Sequence, residues 1–185
     1  MTADSYGPSA LLTPANAITL ARLAVTPFLL ALILTTGPAW PTLALWIGLA
    51  VSDGFDGWLA RKHGTTTSGA FLDPLADKFL VLGAMVCLVA EEIFLWVPVA
   101  IIAVREVSMS LYRSYAGRRG ISIPARLTAK VKTVVQEVAV GFALLPLTAE
   151  DHGWVADGVL WIAVVLTVLT GVQYLLDGRR SGVAV

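Results

Sequence analysis

The sequence is poor in charged residues. Asp, Glu, Lys and Arg together make up 14% of its 185 residues, whereas hydrophobic residues make up 57%. The mean hydropathy is correspondingly high, at +0.78. A soluble domain of this length has too small an interior to bury so much apolar surface, so the composition indicates an integral membrane protein.

The sequence also contains few cysteines, and features of a signal peptide are not evident in it. The single cysteine, Cys87, lies in an apolar run and excludes a disulfide framework, so we expect it to be a buried packing residue. The first residues lack a basic segment followed by an apolar core and a cleavage site, so no signal peptide is predicted. The formal net charge is zero, and only the distribution of the charges is informative.

Six apolar stretches of membrane-spanning length are separated by turn-forming segments. They cover residues 17–36, 41–60, 71–90, 94–113, 128–148 and 154–176. These stretches predict an all-α, polytopic membrane protein with a single bundle of six transmembrane helices. We expect residues 1–15 to be an N-terminal cytoplasmic segment, 16–177 to be the transmembrane domain and 178–185 to be a cytoplasmic tail.

Basic residues mark one side of the membrane. They follow the second, fourth and sixth stretches, for example at Arg61, Arg113 and Arg179, whereas the connections after the other three contain no Lys or Arg. Because cytoplasmic loops carry the excess of Lys and Arg, this alternation places both termini in the cytoplasm.

Four aspartates interrupt the apolar sequence at the end of the second stretch and the start of the third. They are Asp53, Asp56, Asp73 and Asp77. Members of each pair are three or four positions apart and therefore share a helix face, and a short turn would bring both pairs to the same cytoplasmic depth. Carboxylates near hydrocarbon are costly, and a hard divalent cation compensates them best, so we predict an intramembrane metal site. The alternative is separate pairing with cations such as Lys78.

Small residues and an arginine accompany the acids at fixed spacing. The pattern is Asp53-x2-Asp56-Gly57-x2-Ala60-Arg61-x7-Gly69-x3-Asp73-x3-Asp77. It resembles the signature of the CDP-alcohol phosphatidyltransferases, with all eight defining residues present. The gap between Arg61 and Gly69 is one residue shorter than is usual in that family, and it falls in the polar turn, where a deletion is tolerated.

The resemblance implies a six-helix membrane enzyme that moves a phosphatidyl group from a CDP-linked lipid to an alcohol and releases CMP. It implies two divalent cations, Mg²⁺ or Mn²⁺, held by the four aspartates, with Asp77 also deprotonating the attacking hydroxyl. It further implies a pocket for the cytidine diphosphate and a homodimer in a bacterial cytoplasmic membrane with the active site facing the cytoplasm. The residues assigned to that pocket are Asp56, Gly57, Ala60, Arg61 and Gly69.

Further segments are similar to one branch of the family, the phosphatidylglycerophosphate synthases. They are Asn16-x2-Thr19-x2-Arg22-x4-Pro27, Phe71–Lys78, Arg105–Arg113 and Ala129–Gln136. The similarity implies that CDP-diacylglycerol donates to sn-glycerol 3-phosphate. Membrane lipids are the other expected partners, and no nucleic acid is expected.

An acceptor alcohol that carries a phosphate needs positively charged side chains to bind that phosphate, at a position separate from the metal ions. We assign this role to Arg105, Arg113 and Lys132, and we expect no direct pair between Arg105 and its neighbour Glu106, because adjacent helical residues point in different directions. For Asn16 two roles remain open, a helix cap and a contact to the nucleotide.

Three other functions compete with this interpretation. A cardiolipin synthase that accepts phosphatidylglycerol, or an inositol-phosphate transferase, would carry the same eight residues. A cation transporter would need ionisable groups continued towards the outer ends of the helices. The runs Leu23–Leu34 and Phe79–Ala90 provide none beyond Cys87, which disfavours transport.

Overall fold

The computed structural model describes residues 14–63, 67–118 and 127–180, and it describes side chains for 16–52, 73–112, 115, 130–149 and 152–173. Within these ranges every regular element is a helix. The elements are α1 Pro14–Thr36, α2 Trp40–His63, α3 Thr67–Ala90, α4 Trp96–Arg118, α5 Leu127–Leu144, α6 Pro146–Asp151 and α7 Gly153–Arg180. The all-α prediction is therefore confirmed for the described part of the chain.

Six of these helices have the length needed to cross a membrane. The shortest of them, α5, has 18 residues and is about 27 Å long. By length and composition alone, two described segments qualify as spans, Asn16–Thr36 and Gly153–Gln173. The other long helices carry charged residues within their length, for example Glu106 in α4 and Lys132 in α5, so the number of six spans is not confirmed.

The turns follow from local chemistry. Gly37 ends α1 with a φ of +69°, a left-handed conformation that glycine adopts without a Cβ clash, and its N–H donates to the Ile33 carbonyl. The turn-forming segment predicted between the first two apolar stretches, at residues 37–40, is thus confirmed. Glu92 takes a similar left-handed conformation after α3, with a φ of 58°.

The fifth predicted stretch, 128–148, is wrong at its end. Helix α5 ends at Leu144, and a new helix, α6, begins at Pro146. Proline disfavours a helical conformation in the residue before it, and Leu145 is accordingly extended, with φ −74° and ψ 116°. The Thr148 hydroxyl donates to the Leu145 carbonyl (2.9 Å) and to the Phe142 carbonyl, which holds α6 against the end of α5.

Helix α1 packs against both α2 and α3, and α7 packs against α4 and α5. Helix α2 also contacts α5, where Trp46 is buried and its Nε1 donates to the Glu137 carbonyl at 3.3 Å. The bundle centre is lined by aliphatic residues such as Leu29, Leu88 and Leu160. These contacts join the helices that bear the acids, α2 and α3, to the helices that bear the predicted cations, α4 and α5.

The described bundle is apolar on its exterior as well as in its core, unlike a soluble protein. Large apolar side chains are exposed around the bundle, among them Phe28, Leu111 and Trp154. Of the side chains that the structure describes, ten polar or charged ones are buried inside it, including Arg22 and Lys132. An apolar exterior of this extent requires hydrocarbon around it, because in water it would drive aggregation.

Candidate active site

Two of the four predicted carboxylates lie on described parts of α3. Asp73 and Asp77 are one helical turn apart and half-buried. The Thr19 hydroxyl of α1 donates a hydrogen bond to Asp73 Oδ1 at 2.7 Å. This bond occupies one lone pair of Oδ1 and fixes the direction of the carboxylate.

Thr19 belongs to a polar face of α1. Asn16, Thr19 and Arg22 follow one another at three-residue spacing, and all three are at most 2% exposed. Helix α1 packs directly on α3, and the Thr19–Asp73 bond shows that this face meets the acidic one. With the buried Arg22 one turn from Thr19, the region between α1 and α3 is polar along nearly two helical turns.

Asn16 does not cap α1. The described helix begins at Pro14, so Asn16 lies inside its first turn rather than at the N-cap position. The capping role is therefore wrong, and the contact to the nucleotide stays a prediction.

Several predicted site residues lie outside the described side chains. They are Asp53, Asp56, Gly57, Ala60, Arg61, Gly69 and Arg113. Their backbone belongs to α2, α3 and α4. The convergence of four carboxylates, the pocket for the cytidine diphosphate and the acceptor contact of Arg113 therefore stay predictions.

The described donors suit a hard cation. Asp73 and Asp77 offer carboxylate oxygens, the ligand type that Mg²⁺ and Mn²⁺ prefer, and neither side chain is sealed from solvent. Among the described residues no group of three or more His, Cys, Asp or Glu side chains is placed to hold a metal ion. Asp73 and Asp77 thus fit as part of a ligand set that needs further donors.

A second polar centre, the cation cluster, lies between α4, α5 and α7 and consists of Arg105, Glu106, Lys132 and Thr170. Glu106 Oε1 accepts from Arg105 Nη1 at 2.9 Å and also from Lys132 Nζ. Arg105 Nη2 donates to Thr170 Oγ1, also at 2.9 Å. Lys132 and Thr170 are each 3% exposed, so these charged contacts lie in the interior of the bundle.

The cluster contains more positive than negative charge. Two cations share one carboxylate, and Lys78 of α3 lies close enough to Glu106 and Lys132 to interact with both electrostatically. Arg105 Nε is buried and has no hydrogen-bond partner among the described residues. A buried site that contains more positive than negative charge, and that has an N–H donor without a described partner, is suited to binding an anion.

The cluster corrects one prediction and adds two residues. Arg105 and Glu106 do form a direct ion pair, although they are adjacent on the helix. Both side chains are long enough to bend towards the same buried pocket, where Lys132 supplies a second cation for the carboxylate. Glu106 and Thr170 were absent from the predicted site, and the only local signal for Thr170 is a polar residue in an apolar helix.

The fold and the two polar centres define a class of protein. A helical bundle with an apolar exterior, carboxylates on α3 and a buried cation cluster is a membrane-embedded protein with one region suited to cations and another suited to an anion. Comparison with known proteins identifies the family within this class.

Residues 12–169 match the family described as CDP-alcohol phosphatidyltransferase. The chain is 40% identical over 176 residues to a Mycobacterium tuberculosis protein named "Probable phosphatidylglycerophosphate synthase", an alignment that covers 90% of this chain and 82% of that one. It is 36% identical over 174 residues to the CDP-diacylglycerol–glycerol-3-phosphate 3-phosphatidyltransferase of Escherichia coli, covering 89% and 93%. The Rickettsia bellii protein of the same name is 32% identical over 165 residues, covering 86% and 91%.

The chain therefore belongs to the CDP-alcohol phosphatidyltransferase family. It is a membrane protein and a transferase of the phosphatidyltransferase class. Members of this family generally use divalent metal ions, and the carboxylates on α3 agree with that chemistry.

Proposed function

We propose that this protein transfers a phosphatidyl group from CDP-diacylglycerol to sn-glycerol 3-phosphate, giving phosphatidylglycerophosphate and CMP. The observation that carries the choice of acceptor is the cation cluster of Arg105, Glu106, Lys132 and Thr170. The names of the Escherichia coli and Rickettsia bellii relatives state the same donor and acceptor.

Charge supports a phosphorylated acceptor. Arg105, Lys132 and Lys78 carry three positive charges around the single carboxylate of Glu106, which leaves a surplus of two. A phosphate monoester carries about −1.5 to −2 charges at pH 7, which neutralises that surplus. A plain alcohol would leave the cations buried without compensation, which is costly.

The position of Lys78 connects the two polar centres. Lys78 directly follows Asp77, so the cation cluster reaches the helix that carries the carboxylates. An acceptor phosphate held by Arg105, Lys132 and Arg113 would leave its free hydroxyl directed towards α3. Asp77 is the group that we assign to take the proton from that hydroxyl.

The reaction forms one phosphorus–oxygen bond and breaks another. The acceptor hydroxyl oxygen bonds to the phosphatidyl phosphorus, the bond to CMP breaks, and the hydroxyl proton passes to Asp77. We assign two divalent cations, Mg²⁺ or Mn²⁺, to Asp53, Asp56, Asp73 and Asp77. When bound, they neutralise the pyrophosphate and stabilise the attacking and leaving oxygens.

The remaining signature residues and Asn16 would bind the cytidine diphosphate. Small residues at Gly57, Ala60 and Gly69 allow the ligand to approach the backbone, and Arg61 would contact phosphate. Asn16 lies on the buried α1 face that contains Thr19, the partner of Asp73. This shared face supports a role for Asn16 at the donor site.

For the membrane arrangement we propose six spans, with 16–177 as the catalytic domain and with segments 1–15 and 178–185 in the cytoplasm. Exposed tryptophans near the starts of α2, α4 and α7 support it: Trp40, Trp96 and Trp154. If successive spans alternate in direction, the starts of α2, α4 and α7 lie on the same side of the membrane. Tryptophan prefers the membrane interface, so these residues would mark that side. The opposite, basic side would then face the cytoplasm and contain the active site of a homodimer.

The test is an acceptor assay. Purified protein in detergent receives CDP-diacylglycerol and Mn²⁺ with sn-glycerol 3-phosphate, phosphatidylglycerol or inositol phosphate in separate reactions, and the lipid product is identified by mass spectrometry. We expect phosphatidylglycerophosphate and CMP in equal amounts from the first reaction alone. Product from phosphatidylglycerol or inositol phosphate, and none from glycerol 3-phosphate, would contradict the proposal.

A further inference from the structure

The side chain of Arg105 is held from two sides by different helices. Its Nη1 donates to Glu106 of the same helix, and its Nη2 donates to Thr170 Oγ1 of α7, each at 2.9 Å. A guanidinium group is planar, so two contacts on different nitrogens determine the orientation of the whole group. Removal of either contact would leave the group free to rotate about its stem.

Thr170 is itself held in place. It is 3% exposed, and its hydroxyl also makes contacts of 2.8 and 3.1 Å with the carbonyl oxygens of Leu166 and Thr167. A hydroxyl has one proton, so donating to a carbonyl leaves its lone pairs directed at Arg105. The hydroxyl oxygen of Thr170 is therefore already oriented to accept a hydrogen bond from Arg105.

The next residue of α7 provides room for the arginine stem. A Cβ atom at Gly171 would lie 3.6 Å from both Cγ and Nε of Arg105, so the arginine lies directly against the helix backbone there. An alanine methyl group at this distance makes an ordinary van der Waals contact, whereas a β-branched side chain would occupy the space of the stem. Thr170 thus binds the guanidinium group of Arg105, and Gly171 leaves room for its aliphatic stem.

We propose that Thr170 and Gly171 of α7 are positioning residues for the acceptor: they direct Arg105 towards the phosphate of glycerol 3-phosphate and so determine how tightly that substrate binds. This inference rests on the proposed function. Both residues lie just beyond position 169, where the match to the family ends. The last helix would then contribute to the choice of acceptor, while the chemistry stays on α2 and α3.

A structural role for Thr170 makes a different prediction. If the Arg105–Thr170 bond only ties α4 to α7, its loss would lower stability and affect both substrates alike. Thr167, one turn earlier, provides a matched control, since it is also fully buried and its hydroxyl accepts from Gln136 Nε2 at 3.2 Å. It makes no described side-chain contact with the cation cluster.

The experiment compares steady-state kinetics of six variants with those of the wild-type protein, each with both substrates varied. Thr170→Val removes the acceptor oxygen and keeps the shape, and we expect the KM for glycerol 3-phosphate to rise about tenfold, the loss of one charged hydrogen bond. The KM for CDP-diacylglycerol and kcat should change less than about twofold. Thr170→Ser should restore the wild-type KM, and Thr167→Val should leave both KM values unchanged.

The glycine provides an independent series. Gly171→Ala should behave as the wild type, and Gly171→Val should raise the KM for glycerol 3-phosphate because it displaces the arginine stem. An unchanged acceptor KM in Thr170→Val, an equal rise for both substrates, or an equal effect in Thr167→Val would each overturn the inference.

Arg105→Ala separates failure of this inference from failure of the proposed function. If Arg105→Ala raises the acceptor KM and Thr170→Val does not, the positioning role is wrong and the acceptor site stands. If Arg105→Ala also leaves the acceptor KM unchanged, the assignment of the cation cluster to the acceptor phosphate is itself wrong.

Discussion

The two polar centres of this bundle are built in different ways. The carboxylates Asp53, Asp56, Asp73 and Asp77 fall within 25 consecutive residues on two neighbouring helices, whereas the cation cluster gathers residues of α4, α5 and α7, up to 65 positions apart. Spacing along the chain therefore identifies the acids, because helical periodicity alone places them on common faces. Only the folded chain brings Glu106, Lys132 and Thr170 together.

The centres also differ in how they are neutralised. Asp73 and Asp77 are half-buried on one face of α3, and Asp73 accepts a hydrogen bond from the neutral hydroxyl of Thr19. We expect divalent cations to balance the predicted set of four aspartates. The cations of the cluster already share an internal carboxylate, Glu106, which makes the interior tolerable before any ligand binds. We therefore expect the acidic centre to depend on bound cations, whereas the cation cluster retains a surplus of positive charge that is suited to an anion.

The largest expected effect is on the acidic centre. Asp73→Asn keeps the size of the side chain but removes the charge that a divalent cation needs, so we expect CMP release to fall by roughly 10³-fold or more. Release is measured with Mn²⁺ present and at saturating levels of both substrates. Asp157→Asn, at a half-buried aspartate near the start of α7, serves as the control and should retain wild-type activity. Turnover above a tenth of the wild-type rate in Asp73→Asn would contradict the metal assignment.

The next effect tests the internal neutralisation of the cation cluster. Glu106→Gln leaves Arg105 and Lys132 buried without a carboxylate, so the free energy of unfolding should fall by about 3–5 kcal/mol. Denaturation in mixed micelles measures it. Glu91→Gln, in the exposed turn after α3, should change the free energy of unfolding by less than about 0.5 kcal/mol. Equal stabilities of the two variants would show that the cluster does not require an internal counter-charge.

Arg105→Ala should produce a smaller change that is confined to the acceptor. Loss of a charged, bidentate donor is expected to raise the KM for glycerol 3-phosphate about 100-fold, while the KM for CDP-diacylglycerol stays near that of the wild type. Arg105→Lys should recover only part of the affinity, because a single ammonium group cannot reach Glu106 and Thr170 in the same geometry. Equal rises for both substrates would reject the separation between the two centres.

Much of the fold follows from local sequence. The long helices are predicted by apolar stretches, and the turn at Gly37 follows from a residue that tolerates positive φ. The break at Pro146 was also readable, because proline disfavours helix in the preceding residue, but a continuous apolar run obscured it. Local rules therefore describe α1 to α7 well, with errors at helix ends.

Long-range contacts account for what the sequence did not predict. The Arg105–Glu106 pair contradicts a rule about adjacent residues, because Lys132 of another helix creates a pocket in which both side chains meet. Thr170 has no motif of its own and becomes significant only through its bond to Arg105. Thr19 was visible as part of an N-terminal pattern and Asp73 as one of the four acids, but the bond between them, across 54 positions, was not predicted.

The smallest expected effect concerns the Thr19–Asp73 hydrogen bond of the acidic centre. Thr19 is not one of the predicted metal ligands, and it orients Asp73 through a hydrogen bond to Oδ1, as the outer layer of partners does for metal ligands in other sites. Loss of such a partner typically lowers metal affinity by about 10–100-fold. Thr19→Val should therefore weaken Mn²⁺ binding about tenfold, as followed by electron paramagnetic resonance of free Mn²⁺ titrated with the purified protein.

Two further variants decide whether the hydroxyl or the packing matters. Thr19→Ser keeps the donor and should bind Mn²⁺ as the wild type does. Thr26→Val removes a buried hydroxyl from the same helix. Among the described residues that hydroxyl bonds only to the Arg22 carbonyl of its own helix, so Mn²⁺ affinity should not change. If Thr26→Val and Thr19→Val weaken Mn²⁺ binding equally, α1 acts on the acidic centre through packing and not through the Thr19–Asp73 bond.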